Sequence, residues 1–281
     1  MTEPVAGIDV ASWQGSPDWR KVAAAGFRFA YIKASEGNST SYPTLNSQYA
    51  GARAAGLSVG LYHYARVAQS ATSNADSLAA QVNRLGAKAG HLPPCLDLEE
   101  GAGNLAGWAD TFIERLRART GIRQVMVYSG AAFFTDHIGE GWMDPDIYLW
   151  IAHYGRPPGQ PRYLTPRVAI HQHSQTGKVP GISGACDLDV AIWPLEKLVI
   201  AGKEEDEMTA DEVRQVVREE MASIAKRDDI GWARSQILAA LGVANPEAAP
   251  GVPAEGARPI TQQLDEIRAT VEEIRRQNPT P

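Results

Sequence analysis

Apolar and polar positions follow two rhythms along the first two hundred residues. Short runs rich in β-branched and aromatic residues recur at Val5–Val10, Phe27–Lys33, Leu57–Tyr64, Leu92–Leu98, Gln124–Tyr128, Ile147–Ala152, Arg167–Gln172 and Cys186–Ala191. Turn-forming residues bound each run, so the pattern predicts eight strands. Several runs are apolar on consecutive positions, as strands covered on both faces are, and a parallel sheet is expected. Between the early strands the rhythm becomes helical: Pro17–Gly26, Leu45–Gly56, Ala68–Lys88 and Leu105–Arg119 carry Ala, Leu or Arg at helical spacing, and a fifth segment, Ala131–Ile138, is short. Gly closes two of the helices. After Trp150 the connections Tyr154–Gly159 and Ser174–Ala185 are too rich in Gly and Pro for helices. Eight strands with helices in the first five links predict an α/β fold, a TIM-like barrel with a reduced helical ring, (β/α)5(β)3. A complete barrel takes about 250 residues, and about 200 here leaves no room for a full ring. The competing architecture, an open doubly wound sheet, usually carries a Gly-rich phosphate loop after its first strand; Asp9-Val10-Ala11-Ser12-Trp13 is not one.

The pattern changes near residue 200. All six His, both Cys, and every Tyr and Phe precede it, and Trp232 is the one aromatic after it. The expected division is a barrel over 1–200, a helical region over 201–242, a Pro/Ala/Gly-rich linker over 243–259 and a heptad-like helix over 260–277. Val213, Val216, Val217, Met221 and Ile224 form one apolar stripe. Ile260, Leu264, Ile267, Val271 and Ile274 step by four and three, an a/d seam of about two heptads. Three readings of this C-terminal region compete: a wall-binding module, a homo-oligomerisation element, and a helix packed back on the barrel. A single aromatic disfavours the first and the seam favours the second.

Composition narrows the classes. Of 281 residues, 44% are hydrophobic and 21% charged, an ordinary globular mix. No apolar stretch approaches the roughly 18 residues a membrane helix needs, so no membrane span is expected. Through Lys197, Lys plus Arg and Asp plus Glu balance at 17 each; from Ala201 they number 10 and 16, so the C-terminal region holds the whole charge of −6. A neutral barrel and an acidic extension argue against a nucleic-acid partner. MTEPVAGIDV has neither basic nor apolar signal regions, which predicts synthesis in the cytoplasm without a secretory signal. Two cysteines exclude a disulfide scaffold.

The candidate chemistry is acidic. Reactive groups of α/β barrels sit at the C-terminal ends of strands. Asp9 falls near the end of the first run, Asp97 and Glu99 end the fourth, and Asp187 and Asp189 lie in the last. Residues two apart on a strand share a face, so Asp97 and Glu99 point together while Leu96 and Leu98 point away. Two such carboxyls repel, one keeps its proton to higher pH, and an acid beside an ionised partner is the pair that glycosidic cleavage uses. Polar and aromatic residues crowd the same level: Lys33, Glu36, Tyr62, His63, Tyr64, Tyr128, Trp150 and His153. Aromatic faces stack on sugars, though Tyr and Trp are also ordinary core residues. His171-Gln172-His173 raises a rival: two His at i and i+2 can chelate zinc with His63 or Asp187 as third ligand. No H-E-x-x-H or cysteine cluster accompanies them, and no metal or other cofactor is expected. Cys95 and Cys186 read as small buried hydrophobes.

Several segments, in order, resemble glycoside hydrolase family 25, the Chalaropsis-type lysozymes: Gly7-Ile8-Asp9-Val10-Ala11-Ser12-Trp13-Gln14-Gly15, Tyr31-Ile32-Lys33-Ala34-Ser35-Glu36-Gly37, Gly60-Leu61-Tyr62-His63-Tyr64, Leu96-Asp97-Leu98-Glu99, Leu149-Trp150-Ile151-Ala152, and Gly177–Ile182 followed by Asp187-Leu188-Asp189. The resemblance implies a barrel of five helices and eight strands. It implies a muramidase that cuts the β-1,4 bond from N-acetylmuramic acid to N-acetylglucosamine in peptidoglycan glycan strands. Glu99 would be the general acid, and Asp97 would steady developing positive charge or the substrate N-acetyl group. Asp9 and Asp187 would line the same site, with Tyr62, Lys33, Glu36, His63, Tyr128, Trp150 and Gln172 against substrate. Where the family has W-Q-Y-S this chain has His171-Gln172-His173-Ser174, which exchanges two aromatic platforms for imidazoles. A phage lysin, a component of a virion or injection device, and a non-catalytic wall-binding barrel all fit this resemblance; the four acids argue against the last.

Overall fold

The computed structural model describes residues 5–40 and 42–201. The stripe at 213–224, the linker and the a/d seam lie outside the described residues. Eight strands close into one barrel in chain order: β1 (Val5–Val10), β2 (Phe29–Glu36), β3 (Ser58–Tyr64), β4 (Cys95–Asp97), β5 (Val125–Gly130), β6 (Ile147–Ala152), β7 (Val168–Gly177) and β8 (Cys186–Ala191). Helices α1 (Trp19–Ala24), α2 (Leu45–Ala54), α3 (Ala71–Leu85) and α4 (Ala106–Thr120) fill the first four links. In the fifth, α5 (Ala131–Phe133) widens into a π-turn over Phe134–Ile138. A short α6 (Leu195–Leu198) follows β8. The reduced helical ring is as the link lengths require.

Local chemistry sets the helix ends. The Ser70 hydroxyl caps α3 by accepting from Ser73 N–H, and Gly86, at φ 62°, closes it in the left-handed conformation open to glycine.

Each strand divides its side chains between two cores. Ile8, Val10, Ala30, Ile32, Val59, Leu61, Leu96, Val127 and Leu149 point outward under the helices. Phe29, Tyr31, Tyr62, Cys95, Met126, Tyr128, Trp150 and Ile170 point inward and fill the barrel. Glycine makes room for the large rings: a Cβ on Gly60 would lie 2.2 Å from the Tyr31 ring, and one on Gly7 equally close to Phe29.

One expectation fails. A wholly parallel barrel was predicted, but β8 runs antiparallel to both β7 and β1. The link over 178–185 is shorter than the roughly dozen residues a parallel crossover needs, so the chain returns as a hairpin, whereas the longer link over 153–167 lets β7 run parallel to β6 without a helix. The start of β8, rather than its end, therefore lies at the mouth, where Asp187 stands opposite Asp9.

Candidate active site

The ends of β1–β7 and the start of β8 open on one face. By strand alternation, the inward positions at this level are Asp9, Lys33, Tyr62, Tyr64, Asp97, Tyr128, Trp150, Gln172, Asp187 and Asp189. Asp97 ends β4 between Tyr64 and Tyr128 of the adjoining strands. Glu99 follows two residues later, exposed, while Asp97 is buried beneath it.

A bonded chain crosses the barrel. Tyr128 and Tyr154 hydroxyls donate to Gln172 Oε1 at 2.9 and 2.7 Å, and Gln172 Nε2 donates to Asp9 Oδ2 at 2.7 Å. The Trp150 indole N–H donates to Asp189 Oδ1 at 2.8 Å. Trp150 stacks on Tyr31 at 4.8 Å and meets the edge of Tyr128 at 4.7 Å, so the floor beneath the acids is aromatic.

This floor raises the acids. Burial lifts Asp97 well above the usual carboxylate range, with repulsion from Glu99 adding and Lys33 opposing. The surrounding walls strip water from Glu99 and raise it too; Lys33 opposes, and Asp187 and Glu100 add. Burial raises Asp9, with Asp189 and Asp187 adding. Asp187 and Asp189 are also raised by burial, with the neighbouring Asp9 carboxyl easing each. Like charges gathered in a dry site oppose one another's ionisation.

Lys33 is the nearest cation. Its Nζ lies 2.7 Å from Glu36 Oε2 and 4.6 Å from the centre of the Tyr64 ring. Glu36 also accepts from the Arg66 guanidinium and from the Tyr42 hydroxyl at 3.0 Å. Burial pushes Glu36 up, but bonds from Lys33, Arg66 and Tyr42 outweigh it and hold the carboxyl at about 2. Glu36 thus stands at the edge of the mouth as a fixed anion. Arg66 bridges it to Glu100 and, with Glu36, Glu100, Tyr42 and Gln69, lines a cavity of about 470 Å³. A second cavity, of about 620 Å³, runs along Lys178, Ile182 and Ala185, two residues before Asp187.

One assignment needs correction. His63 does not face the mouth. Tyr62 and Tyr64 point inward, so the residue between them points out, where Ser35 Oγ meets its Nδ1 at 2.8 Å and its Nε2 meets Asn74 Oδ1 at 2.9 Å. Burial lowers its pKa to about 4, so the ring is neutral, and it ties β2 and β3 to α3. His171 also points away: its Nδ1 accepts from Gly159 N–H at 3.1 Å and its Nε2 donates to the His153 carbonyl at 2.9 Å. Fully buried, it offers sugar no platform, and it does not converge with His63 or Asp187 on a metal. The remaining candidates, Asp9, Lys33, Glu36, Tyr62, Asp97, Glu99, Tyr128, Trp150, Gln172 and Asp187, gather at or just below the mouth.

Sequence reasoning missed Tyr154, Arg66 and the role of Asp189. Arg66 and Tyr154 lie in loops, where periodicity carries no signal. Asp189 shares its face with Asp187, and that spacing was legible. Trp13 was noted only within a motif. It stands 86% exposed on a 3-10 turn (Ser12–Gln14) just past β1, clamped by Gln48 Nε2 on the carbonyls of Ala11 and Gly15.

A closed barrel whose mouth gathers carboxyls over an aromatic floor is the scaffold of a glycoside hydrolase. The sequence profile of glycosyl hydrolases family 25 matches residues 8–182, and the chain belongs to that family. It is 36% identical over 200 residues to lysozyme M1 of Streptomyces globisporus, covering 66% of this chain and 67% of that one. It is 30% identical over 203 residues to the N,O-diacetylmuramidase of Chalaropsis sp, covering 65% and 96% respectively. Among solved structures, the bacterial lysozyme from Streptomyces coelicolor aligns with a TM-score of 0.60 at 31% identity, over 70% of this chain and 96% of that one.

Proposed function

We propose that this enzyme is an N-acetylmuramidase that hydrolyses the β-1,4 MurNAc–GlcNAc bond of peptidoglycan. The observation that carries the reading is Asp97, buried at the end of β4, with Glu99 exposed two residues beyond it and Asp9 and Asp187 within electrostatic reach of the pair. In this reading Glu99, reachable from solvent, gives its proton to the departing GlcNAc oxygen.

Asp97 Oδ1 has no donor among the described residues. In this reading Asp97 accepts the N–H of the substrate's acetamido group, which favours its ionised form. The proton shared by the pair then stays on Glu99, where it is used. The acetamido oxygen attacks the anomeric carbon as the glycosidic bond breaks, and Asp97 steadies the amide. Water, deprotonated by Glu99, then opens the ring so formed, giving net retention.

The direct test is clearance of purified cell walls, with anomer analysis of the first products by NMR. Retained β-anomer is expected. Initial inversion would replace the acetamido route with direct attack by water, and loss of activity on adding a chelator would restore a metal to the mechanism. A role as a phage lysin, with the a/d seam of the C-terminal region as a homo-oligomerisation element, is a separate proposal. Light scattering of full-length protein and a 1–200 form tests the seam, and equal oligomeric states refute it.

A further inference from the structure

Asp189 has no part in the mechanism above, yet it is 1% exposed at the heart of the site. It shares a face with Asp187 and stands in register with Gly7 and Gln172. Its Oδ1 accepts the Trp150 indole N–H at 2.8 Å. Its Oδ2 meets no N–H or hydroxyl donor among the described residues. Asp9 is its diagonal neighbour on β1, for Asp187 stands opposite Asp9 and Asp189 opposite Gly7, and the two carboxyls influence each other's protonation.

Asp9 is equally constrained. Gln172 Nε2 occupies its Oδ2 at 2.7 Å, and the Gln172 amide is fixed by the Tyr128 and Tyr154 hydroxyls on its own oxygen. One oxygen of Asp9 is left for the acids of β8. Two carboxylates cannot hydrogen-bond each other, but an acid and a carboxylate make a short, strong bond.

We propose that Asp189 is a positioning residue that shares one proton with Asp9, so that Asp9 stays a neutral donor at the β1–β8 seam and the pair's negative charge rests on Asp189 against the Trp150 indole. Every element around Asp9 fits this. Asp187 and Asp189 face it from β8 and Asp97 from β4. Tyr62 of β3, Tyr128 of β5 and Gln172 of β7 bring neutral polar groups. The Cys186 thiol reaches only its backbone carbonyl, at 3.6 Å. Lys33, the nearby cation, is engaged by Glu36. With one proton between Asp9 and Asp189, Asp187 faces a single negative charge across the seam; without it, three like charges would stack there.

The kinetic consequence rests on the muramidase reading, but the protonation does not. Carboxyl ¹³C NMR of the full chain, with labelled aspartate, follows Asp9 directly, its signal assigned by its loss in Asp9→Asn. In the wild type, Asp9 is expected to remain protonated after the exposed aspartates have ionised. Asp189→Asn keeps the acceptor for Trp150 and offers an N–H to Asp9, so the Asp9 midpoint should fall by roughly one pH unit or more. The alkaline limb of kcat/KM on cell walls should move the same way. An Asp9 that ionises with the exposed aspartates in the wild type overturns the proposal, and that measurement needs no variant. So does an unmoved midpoint in Asp189→Asn, even if that variant melts earlier, because Asp189 is then merely structural. A wild type that leaves walls intact refutes the muramidase reading and leaves the titration to decide the sharing.

Discussion

The floor and the mouth of this barrel are built from the same strands, on the same inward faces, only a few residues apart. At the floor, Phe29, Tyr31, Met126 and Ile170 pack without charge. At the mouth, Asp9, Asp97, Asp187 and Asp189 continue those faces, with Glu99 just beyond. The floor gains from losing water and the mouth is penalised by it. Stability is therefore held in one layer and chemistry in the next, and substitutions in the two should have opposite signatures.

The sharpest separation comes from Glu99→Gln. It is expected to lower kcat by at least about 10²-fold, with wall fragments still bound and thermal unfolding little changed. A nearly fully active variant would show that another group is the acid. Tyr31→Ala is the counterpart at the floor. Tyr31 is fully buried, stacks on Trp150 and donates its hydroxyl to the Pro93 carbonyl at 3.0 Å. Its loss should cost about 3–5 kcal/mol in denaturant unfolding, since large aromatic cavities cost that much. A cost below 1 kcal/mol would mean that the floor does not carry the fold.

The layers should also respond oppositely to pH. The mouth acids have raised folded-state values, so the folded chain binds protons that the unfolded chain has lost. Their contribution is present below the unfolded value and fades as pH rises from there through the folded one. Asp97→Asn should therefore raise the melting temperature more at pH 8 than at pH 4; a gain of about 1 kcal/mol is worth about 2–4 °C in a domain of this size. A larger gain at pH 4 would refute the raised value. His63 and Glu36 have the reverse sign. His63 must charge as pH falls from 6.5 toward about 4, and Glu36 keeps its ion pairs until pH falls from 4.5 toward about 2. His63→Gln should flatten the fall in melting temperature over the first of these windows, and an unchanged acid limb would place the lost stability elsewhere.

The smallest effect should lie at the rim. Trp13→Ala removes an exposed ring beyond Asp9 and should raise KM on walls about 2–10-fold at constant kcat, the worth of one stacking contact. A fall in kcat instead would put Trp13 in the chemistry.

Much of this was legible in the chain. Val5–Val10, Ile147–Ala152 and Cys186–Ala191 are strands with the predicted ends, because an apolar run bounded by Gly, Pro or Asp leaves little choice. The D-x-E pair was legible as a motif, but strand alternation reaches only Asp97, the last residue of β4, and Glu99 lies in the loop beyond it. The same rule, applied to Tyr62-His63-Tyr64, would have sent His63 outward; their shared place at the end of the third run carried all three residues to the mouth together. The direction of β8 was hidden because its core-facing pattern is the same either way. The proton network of Asp9, Gln172 and Asp189 depends on β7–β8 pairing 163 or more residues from β1 in sequence, which local periodicity does not reach.

The reversed last strand has a topological corollary. β1 begins where β8 ends, with Val5 paired to Ala191, and the backbone of Ile200 bonds to His91 and Gly90 ahead of β4. Both ends of the barrel thus emerge beneath the aromatic floor, on the side away from the carboxyls. A fusion or surface tether attached at either terminus would leave the cleft open to an incoming glycan, and a linker joining Val5 to Ile200 would permit circular permutation without touching the acids.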